Sequence, residues 1–165
     1  MNPETTQERS LGDEELLYRG VREENIVGGR LNPRTFGRRP DVPPYPEKGV
    51  SVDVAEGHQF SPTAYLEVLE QKRQHTYKKR LSRNPKAKAP SPFVRVLSLY
   101  VGQVRSIRLE NGELLDVVPD GLPHALIVDL PVLDYLKDDH EGARMVARAE
   151  RFANLLIRVC DNVDN

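Results

Sequence analysis

Leu16-Leu17-Tyr18-Arg19-Gly20-Val21 is a short, mostly apolar run that contains one arginine followed by one glycine. Such a run predicts a buried strand that holds the Arg19 guanidinium rigidly at its end, and the glycine lets a ligand approach the backbone closely. Residues 50–54, Val-Ser-Val-Asp-Val, alternate between apolar and polar side chains, which is typical of a half-buried strand. The two stretches together predict a sheet core that presents Arg19.

The remaining pattern indicates an α+β fold with a mixed or antiparallel β-sheet. Further strands are predicted over residues 93–101, 104–109, 114–118 and 125–128. Asn111-Gly112 favours a hairpin turn between two of them, because both residues accept positive φ. Residues 131–136 favour a single helical turn.

Two amphipathic helices are predicted, one near residues 62–75 and a C-terminal one near residues 139–160. Ser61-Pro62 opens the first, since serine suits the N-cap and proline suits the first helical position. This helix is expected to fray near residue 75. Asp138 is expected to cap the second helix, with a glutamate three residues on, as in a capping box.

The domain boundaries follow from composition. Residues 1–12 predict a mobile tail, residues 13–160 a single α+β domain, and residues 161–165 a second tail. Residues 71–92 predict a basic, proline-punctuated insertion within the domain. A chain of 165 residues is long enough to bury a core without a disulfide or a metal.

Charge and cysteine content exclude several classes of protein. The formal net charge is −1, so the chain as a whole is not biased towards nucleic acid or anionic membranes. Cys160 is the single cysteine, which excludes a disulfide framework and a cysteine-based zinc site. The four histidines lack metal-ligand spacing, so we predict no metal. No apolar run reaches the ~20 residues of a membrane span, and we expect a cytoplasmic protein.

The basic stretch is the strongest shift in composition. Residues 71–89 contain eight basic residues and no Asp or Glu. Such a run is usually a solvated surface, and the functional alternative is contact with a phosphate backbone or an acidic partner. The candidate partner-binding residues are Lys78, Lys79, Arg80 and Arg83.

Three residues are candidates for holding a nucleotide. Arg19, fixed at the end of its strand, is suited to bidentate binding of phosphate or carboxylate, and pairing with an internal carboxylate is its structural alternative. Arg30 and Asn32 fall on the same side of an extended segment, where they could bind a second phosphate oxygen and a ribose hydroxyl. Ordinary polar bonding within a loop is the alternative for these two.

Four further residues are candidate catalytic groups. Ser51 shares one face of its strand with Asp53 and could orient a ligand, and His58 could approach it in space. His124, at a strand entrance, is a candidate general base. Glu113, beside a turn, and Glu67, on the first helix, are candidate acids, and a solvated position is the alternative for both. No P-loop or dinucleotide glycine fingerprint is present.

The run around Tyr18-Arg19-Gly20 resembles the first motif of the arginine-initiated ADP-ribosyltransferases, in which an aromatic-Arg-Gly strand end contacts NAD. That family's second motif is a Ser-x-Ser or Ser-x-Thr strand, which this chain matches at Ser51 and departs from at Asp53. The resemblance implies that Glu110 or Glu113 supplies the glutamate of the third motif.

The first half of the chain also resembles the RES-type NAD-degrading toxins. Gly29-Arg30-Leu31-Asn32 is similar to their Gly-Gly-Arg-Trp-Asn segment, with leucine in place of tryptophan. The helix after Ser61-Pro62 is similar to the one that carries their catalytic glutamate, which implies this role for Glu67. Ser98 and Ser106 are the alternatives for their later serine.

The lead hypothesis is therefore an NAD-using enzyme, either an ADP-ribosyltransferase with a macromolecular acceptor or an NAD glycohydrolase, with NAD as its substrate. The second hypothesis is a non-catalytic binding or assembly module of a bacterial or phage complex. Such a module would contact an acidic or nucleic-acid partner through residues 72–88. An antitoxin or immunity protein is a third option, and the oligomeric state is left open.

Overall fold

The computed structural model describes residues 8–39, 49–135 and 139–162. The strands are β1 (Leu16–Arg22), β2 (Ile26–Val27), β3 (Arg30–Leu31), β4 (Val50–Val54), β5 (Phe93–Tyr100), β6 (Asp116–Pro119), β7 (His124–Val128) and β8 (Asp161–Asn162). The helices are α1 (Pro62–Arg83), α2 (Val101–Arg105) and α3 (His140–Val159). This arrangement confirms the predicted α+β class and places the chain in one domain.

Six of the strands form one antiparallel sheet in the order β6-β7-β4-β1-β5-β8, while β2 and β3 pair separately. β1 pairs with β5 along its whole length and lies near the centre of the sheet. The main core covers one face and brings Leu17 and Val21 of β1 together with Phe152 and Leu156 of α3. Because a central strand is covered on both faces, its residues are mostly apolar, and the sequence around Arg19 therefore predicted a buried strand.

Helix α1 packs on the opposite face of the sheet, where Tyr18, Tyr65 and Val96 form a second, smaller cluster. Ser61 caps the helix, since its hydroxyl accepts the Ala64 N–H at 3.1 Å, as predicted. The helix continues to Arg83 instead of fraying near residue 75. Its lysines, arginines and glutamines are good helix formers, and cations are favourable near a helix C-terminus.

The segment after β5 differs from the prediction. Residues 101–105 form α2 rather than part of a strand over 104–109, because Gly102 N–H donates to the Asp13 carbonyl at 2.9 Å and the chain turns there. Of Asn111-Gly112, only Gly112 has positive φ, at 86°. A turn forms, but a single bridge, Arg108 to Leu114, replaces the expected hairpin ladder. The second strand of that prediction, β6, pairs with β7 instead.

Residues 131–135 form no helical turn, because Leu133 N–H donates to the Arg38 carbonyl at 2.7 Å. The last residue of that prediction, 136, lies outside the described residues, as does Asp138. Asp139 caps α3, with its carboxylate accepting the Gly142 N–H at 2.6 Å. The C-terminal helix itself is confirmed.

Parts of both predicted tails are packed against the domain. Leu11 is 2% exposed and belongs to the main core. Asp161 and Asn162 form β8 at the edge of the sheet, next to β5. Within the described ranges, no helix combines the length and apolar character needed to cross a membrane.

Candidate anion-binding cleft

A cleft opens where β1 and β4 separate. The two strands pair at Leu17 with Val54 and at Tyr18 with Asp53, and the recorded register goes no further. Beyond Tyr18, β1 continues along β5 while β4 continues along β7. The gap between the diverging strands leads into a cavity of about 440 Å³.

The lining of this cavity is rich in arginine, and we call it the arginine cleft. Its defining residues are Arg19, Arg22, Arg34, Arg39, Ser51, Phe93 and Tyr135. Glu24 is the one carboxylate among the described lining residues, so cations outnumber anions by four to one. This charge balance favours an anionic ligand.

Arg19 spans the gap between the two strands. Its Nε donates to the Thr35 carbonyl at 3.0 Å, and its Nη1 donates to the Ser51 carbonyl at 2.7 Å. Strand alternation places the Arg19 side chain on the face of Leu17 and the Ser51 side chain on the opposite face. Arg19 therefore contacts the main chain of Ser51, and its guanidinium is fixed at the cleft wall.

Two aromatic rings in the cleft each carry a stacked guanidinium. The Arg22 guanidinium lies 4.4 Å from the Phe93 ring centroid, and that of Arg34 lies 4.5 Å from the Tyr135 ring centroid. Tyr135 also donates its hydroxyl to Glu150 of α3 at 2.9 Å. Stacking holds each guanidinium plane in a fixed orientation while leaving N–H donors at its edge.

Arg22 is partly buried and has other cations around it. Burial is the largest cause that lowers the pKa of Arg22 from its ordinary 12.5, and Glu24 opposes this effect. The charges of Arg39, Arg80 and Arg73 lower that pKa further. Two of these cations belong to α1, so the positive region extends beyond the cleft.

A buried polar group lies beside the cleft, on the α1 face of the sheet. His58 Nε2 lies 2.7 Å from Asp53 Oδ2, and both side chains are buried. The Tyr65 ring packs on His58, with centroids 4.9 Å apart. Burial and then the charge of Asp53 raise the pKa of Tyr65, whereas Arg19 lowers it. His58 therefore approaches Asp53, and the approach to Ser51 that the sequence left open is not made.

Arg19 and Ser51 are the predicted site residues that the structure brings to this cleft. Arg30 and Asn32 do not line it. Arg30 is exposed in β3, after the turn at Gly28, and Asn32 accepts the Arg34 N–H at 2.9 Å as the cap of a short 3-10 turn. Asn32 therefore makes the ordinary polar bond within a loop that was the alternative to binding a ligand.

The remaining predicted residues also lie elsewhere. Glu67 is exposed on α1, and Glu113 is exposed in the turn after residue 111. His124 faces Asp53 in the register of β7 and β4, and its Nδ1 lies 3.2 Å from Asp120 Oδ2. None of the three lines the arginine cleft.

The sequence reasoning missed Arg22, Arg34, Arg39, Phe93 and Tyr135, which complete the cleft. Arg22 stands three residues after Arg19 and ends β1, and that spacing was the available signal. The prediction that Arg19 ends its strand is wrong, because β1 keeps pairing with β5 as far as Arg22 and Arg19 lies in the middle of the strand. The other residues come from distant segments, so only the fold unites them. Among the described residues, no group of three or more His, Cys, Asp or Glu side chains could hold a metal ion.

The partner-binding candidates, Lys78, Lys79, Arg80 and Arg83, are all exposed on α1.

In comparisons with known proteins, no family model, no curated protein and no solved structure matches this chain.

Proposed function

We propose that this protein binds the phosphate groups of a nucleotide in the arginine cleft and that NAD is its ligand. The observation that supports the proposal is the convergence of Arg19, Arg22, Arg34 and Arg39 on one cavity with a single described carboxylate. Arginine binds phosphate through paired, charge-assisted hydrogen bonds, and several such pairs fit a pyrophosphate.

The size and the aromatic content of the cleft favour a nucleotide over inorganic phosphate. A cavity of about 440 Å³ falls within the ~300–1,000 Å³ typical of small-molecule sites. Phe93 and Tyr135 supply flat apolar surface beside the cations, which suits the base of a nucleotide. Ser51 lines the same cleft, and we assign it the role of orienting the nicotinamide ribose.

Cleavage of NAD is the activity that we propose for this site. The bond from the ribose C1′ to the nicotinamide nitrogen breaks, and nicotinamide leaves with the electron pair. Water, or the hydroxyl of an acceptor, then bonds to C1′ and gives up its proton. Glu24, which lines the cleft, replaces Glu67 and Glu113 as the proposed carboxylate. It stabilises the cation and, as the general base, receives that proton.

Binding is tested by calorimetric titration with ADP-ribose and with NAD. Arg34→Ala removes a cleft guanidinium and should weaken binding about tenfold or more, which corresponds to ~1.4 kcal/mol. Arg30→Ala is the matched control, because it removes an exposed arginine outside the cleft and should leave the affinity unchanged. Equal effects of the two variants, or no binding by the wild type, would overturn the proposed ligand class.

Cleavage is tested by release of nicotinamide from NAD, with and without a protein or nucleic-acid acceptor. Glu24→Gln should abolish release, while Glu23→Gln, at the adjacent exposed position, should retain it. Binding of ADP-ribose without any release of nicotinamide would overturn the activity and leave a nucleotide-binding protein.

A further inference from the structure

Helix α1 lies beside the arginine cleft, since its Leu69 packs over Gly20, which lines the cleft. We propose that the cleft and one side of α1 form a single track that binds single-stranded nucleic acid. The inference rests on the proposed function in one respect, since it takes the cleft to be a phosphate site. It goes further by naming a longer ligand and the surface that receives it.

We define residues 72–92, the second part of α1 and the segment that follows it, as the basic arm. Beyond Arg73 the helix contributes no side chain to either core cluster, and Tyr77 and Leu81 are half-buried. Arg73 Nη1 donates to the Pro90 carbonyl at 3.0 Å, which holds the segment that follows α1, residues 84–92, against the helix. We call these residues the returning segment. The arm therefore contributes little to the hydrophobic core, and its charged side chains face solvent.

The charges of the arm are concentrated on one side. Residues seven and eleven apart in a helix point within about 20° of one another, so Lys72, Lys79 and Arg83 form one row. Arg73 and Arg80 form a second row about 80–100° away, whereas Lys78 points about 120° away from the first row on the other flank. We call the five residues of the two rows the basic track.

The basic track is largely unneutralised. Arg73 pairs with Glu70. Lys72, Lys79 and Arg83 form no ion pair with any residue that the structure describes. Residues 71–109 contain no Asp or Glu at all, so no acid of the arm competes for a bound anion.

The track meets the arginine cleft at the returning segment. Arg22 Nη1 donates to the Ser91 carbonyl at 2.8 Å, and Arg73 Nη1 donates to the carbonyl of the preceding residue, Pro90, at 3.0 Å. Both guanidiniums are therefore bound to the same two-residue stretch of main chain. The charges of Arg73 and Arg80 also lower the pKa of Arg22, which agrees with this proximity. Phosphates bound in the cleft would be followed by phosphates on α1.

The dimensions favour a single strand of nucleic acid. The row from Lys72 to Arg83 is about 16 Å long, which is longer than a diphosphate and spans several consecutive phosphates of a single strand. A cavity of about 440 Å³ admits a nucleotide but not a duplex. Phe93 and Tyr135, together with the guanidiniums stacked on them, form flat surfaces against which an unpaired base can stack.

The test is fluorescence anisotropy with a labelled thymidine oligonucleotide of about twelve residues, measured over a series of salt concentrations. Lys79→Ala should weaken binding several-fold, and its plot of log affinity against log salt should flatten by about 0.7. Lys78→Ala, a neighbour off the track, should match the wild type. Arg34→Ala should also weaken binding, because the strand passes through the cleft.

The outcomes separate this inference from the proposed function. Lys79→Ala should leave ADP-ribose binding unchanged, which shows that the track extends beyond the nucleotide site. Binding of ADP-ribose without binding of the oligonucleotide would overturn the track and leave the cleft intact. Oligonucleotide binding that responds to Lys79→Ala but not to Arg34→Ala would overturn the continuity.

Three controls complete the design. A duplex of the same length should bind more weakly, and equal binding would overturn the preference for a single strand. Polyglutamate should displace the oligonucleotide poorly, and equal displacement would point to an acidic protein partner instead. Thermal unfolding followed by circular dichroism should give the same midpoint for each α1 variant, because these side chains are exposed.

Discussion

Gly20 shows how one residue sets the distance between α1 and the sheet. A Cβ at this position would lie 2.3 Å from Leu69 Cδ1 and 2.9 Å from Phe93 Cδ1. The sequence was interpreted as leaving room here for a ligand. The structure fills the space along the missing Cβ with the side chains of Leu69 and Phe93, while Gly20 itself lines the arginine cleft.

Gly20→Ala is therefore expected to lower the free energy of unfolding by about 1–3 kcal/mol through overpacking. Combining it with Leu69→Ala should cost less than the sum of the two single changes, because the added methyl occupies part of the vacated space. Urea unfolding of the four proteins in the cycle measures this coupling. Additive effects would contradict the packing of α1 on β1 as described.

The hydrogen-bonded pair of Asp53 and His58 is a second feature on which the stability of the fold depends. Asp53 is 6% exposed and His58 is 8% exposed, with their nearest polar atoms 2.7 Å apart. Removing one member leaves a polar group buried without its partner, so Asp53→Ala and His58→Ala should each cost about 3–5 kcal/mol. Chemical unfolding gives these values.

A double variant lacking both members should be less destabilised than the two single costs predict together, since no polar group is left buried without its partner. Ser51→Ala is a suitable control on the same strand. Its side chain is exposed and Arg19 holds its carbonyl, so the change should stay within about 0.5 kcal/mol. A large cost at Ser51 would show that its hydroxyl has an unrecognised structural role.

At the scale of elements, Glu110 fastens the turn before β6 to helix α3. It accepts hydrogen bonds from Arg148, at 2.9 and 3.0 Å, and from Arg151. Hydrogen bonding from Arg148 is the largest cause that lowers the pKa of Glu110 from 4.5 to about 2. The carboxylate is thus favoured in the folded protein over the unfolded chain.

This shift fixes the sign of a pH dependence. A depressed folded pKa stabilises the protein fully above the unfolded value of 4.5, and the contribution is lost as the pH falls towards about 2. The difference in the free energy of unfolding between wild type and Glu110→Gln should be largest near neutral pH and should fall to zero as the pH decreases through that interval. The difference should be modest and should decrease with added salt, because Glu110 and its arginine partners are exposed.

Glu113→Gln is the matched control for this prediction, because Glu113 is exposed in the same turn and forms no ion pair with a described residue. The change in the free energy of unfolding that it causes should be small, because no described cation is lost as a partner. Urea unfolding at a series of pH values compares the two variants. If Glu110→Gln still differed from wild type in free energy of unfolding near pH 2, the role of the ion pair would be contradicted.

Elements were predictable wherever local chemistry dominates. The apolar run of β1, the alternation in β4, and the Ser61 cap of α1 all follow from neighbouring residues. The strand expected over 104–109 did not form, because a contact with Asp13, distant in sequence, turns the chain at Gly102. No local pattern contains that information.

The candidate site was less predictable for the same reason. Arg19 was recognisable because its neighbours define the strand, and it does line the cleft. Phe93 and Tyr135 join it through sheet pairing and chain return, which have no signature in their own segments. The full length of α1 was underestimated because a dense run of cations was interpreted as a loop.

At the scale of the whole molecule, charge is separated in space. Residues 71–92 carry eight of the 24 basic residues and none of the 25 acidic ones, so the rest of the chain has a formal charge of −9. The net charge of −1 hides this separation. A polyanion that meets the basic arm experiences a strong local field even though the molecule is nearly neutral.

This asymmetry predicts the behaviour of the protein on a sulfonate cation exchanger. At about pH 8, above the sequence pI of 6.4, evenly spread charge would let the protein pass through, whereas a concentrated basic arm should retain it at low salt. The triple variant Lys72→Ala, Lys79→Ala, Arg83→Ala should elute at clearly lower salt, because it removes one row of the track. Lys78→Ala changes the net charge off the track and should shift elution far less. If a charge-matched triple alanine variant at Arg30, Arg95 and Arg108, three basic residues outside the arm, shifted elution as much, retention would depend on net charge alone and the arm would have no special role.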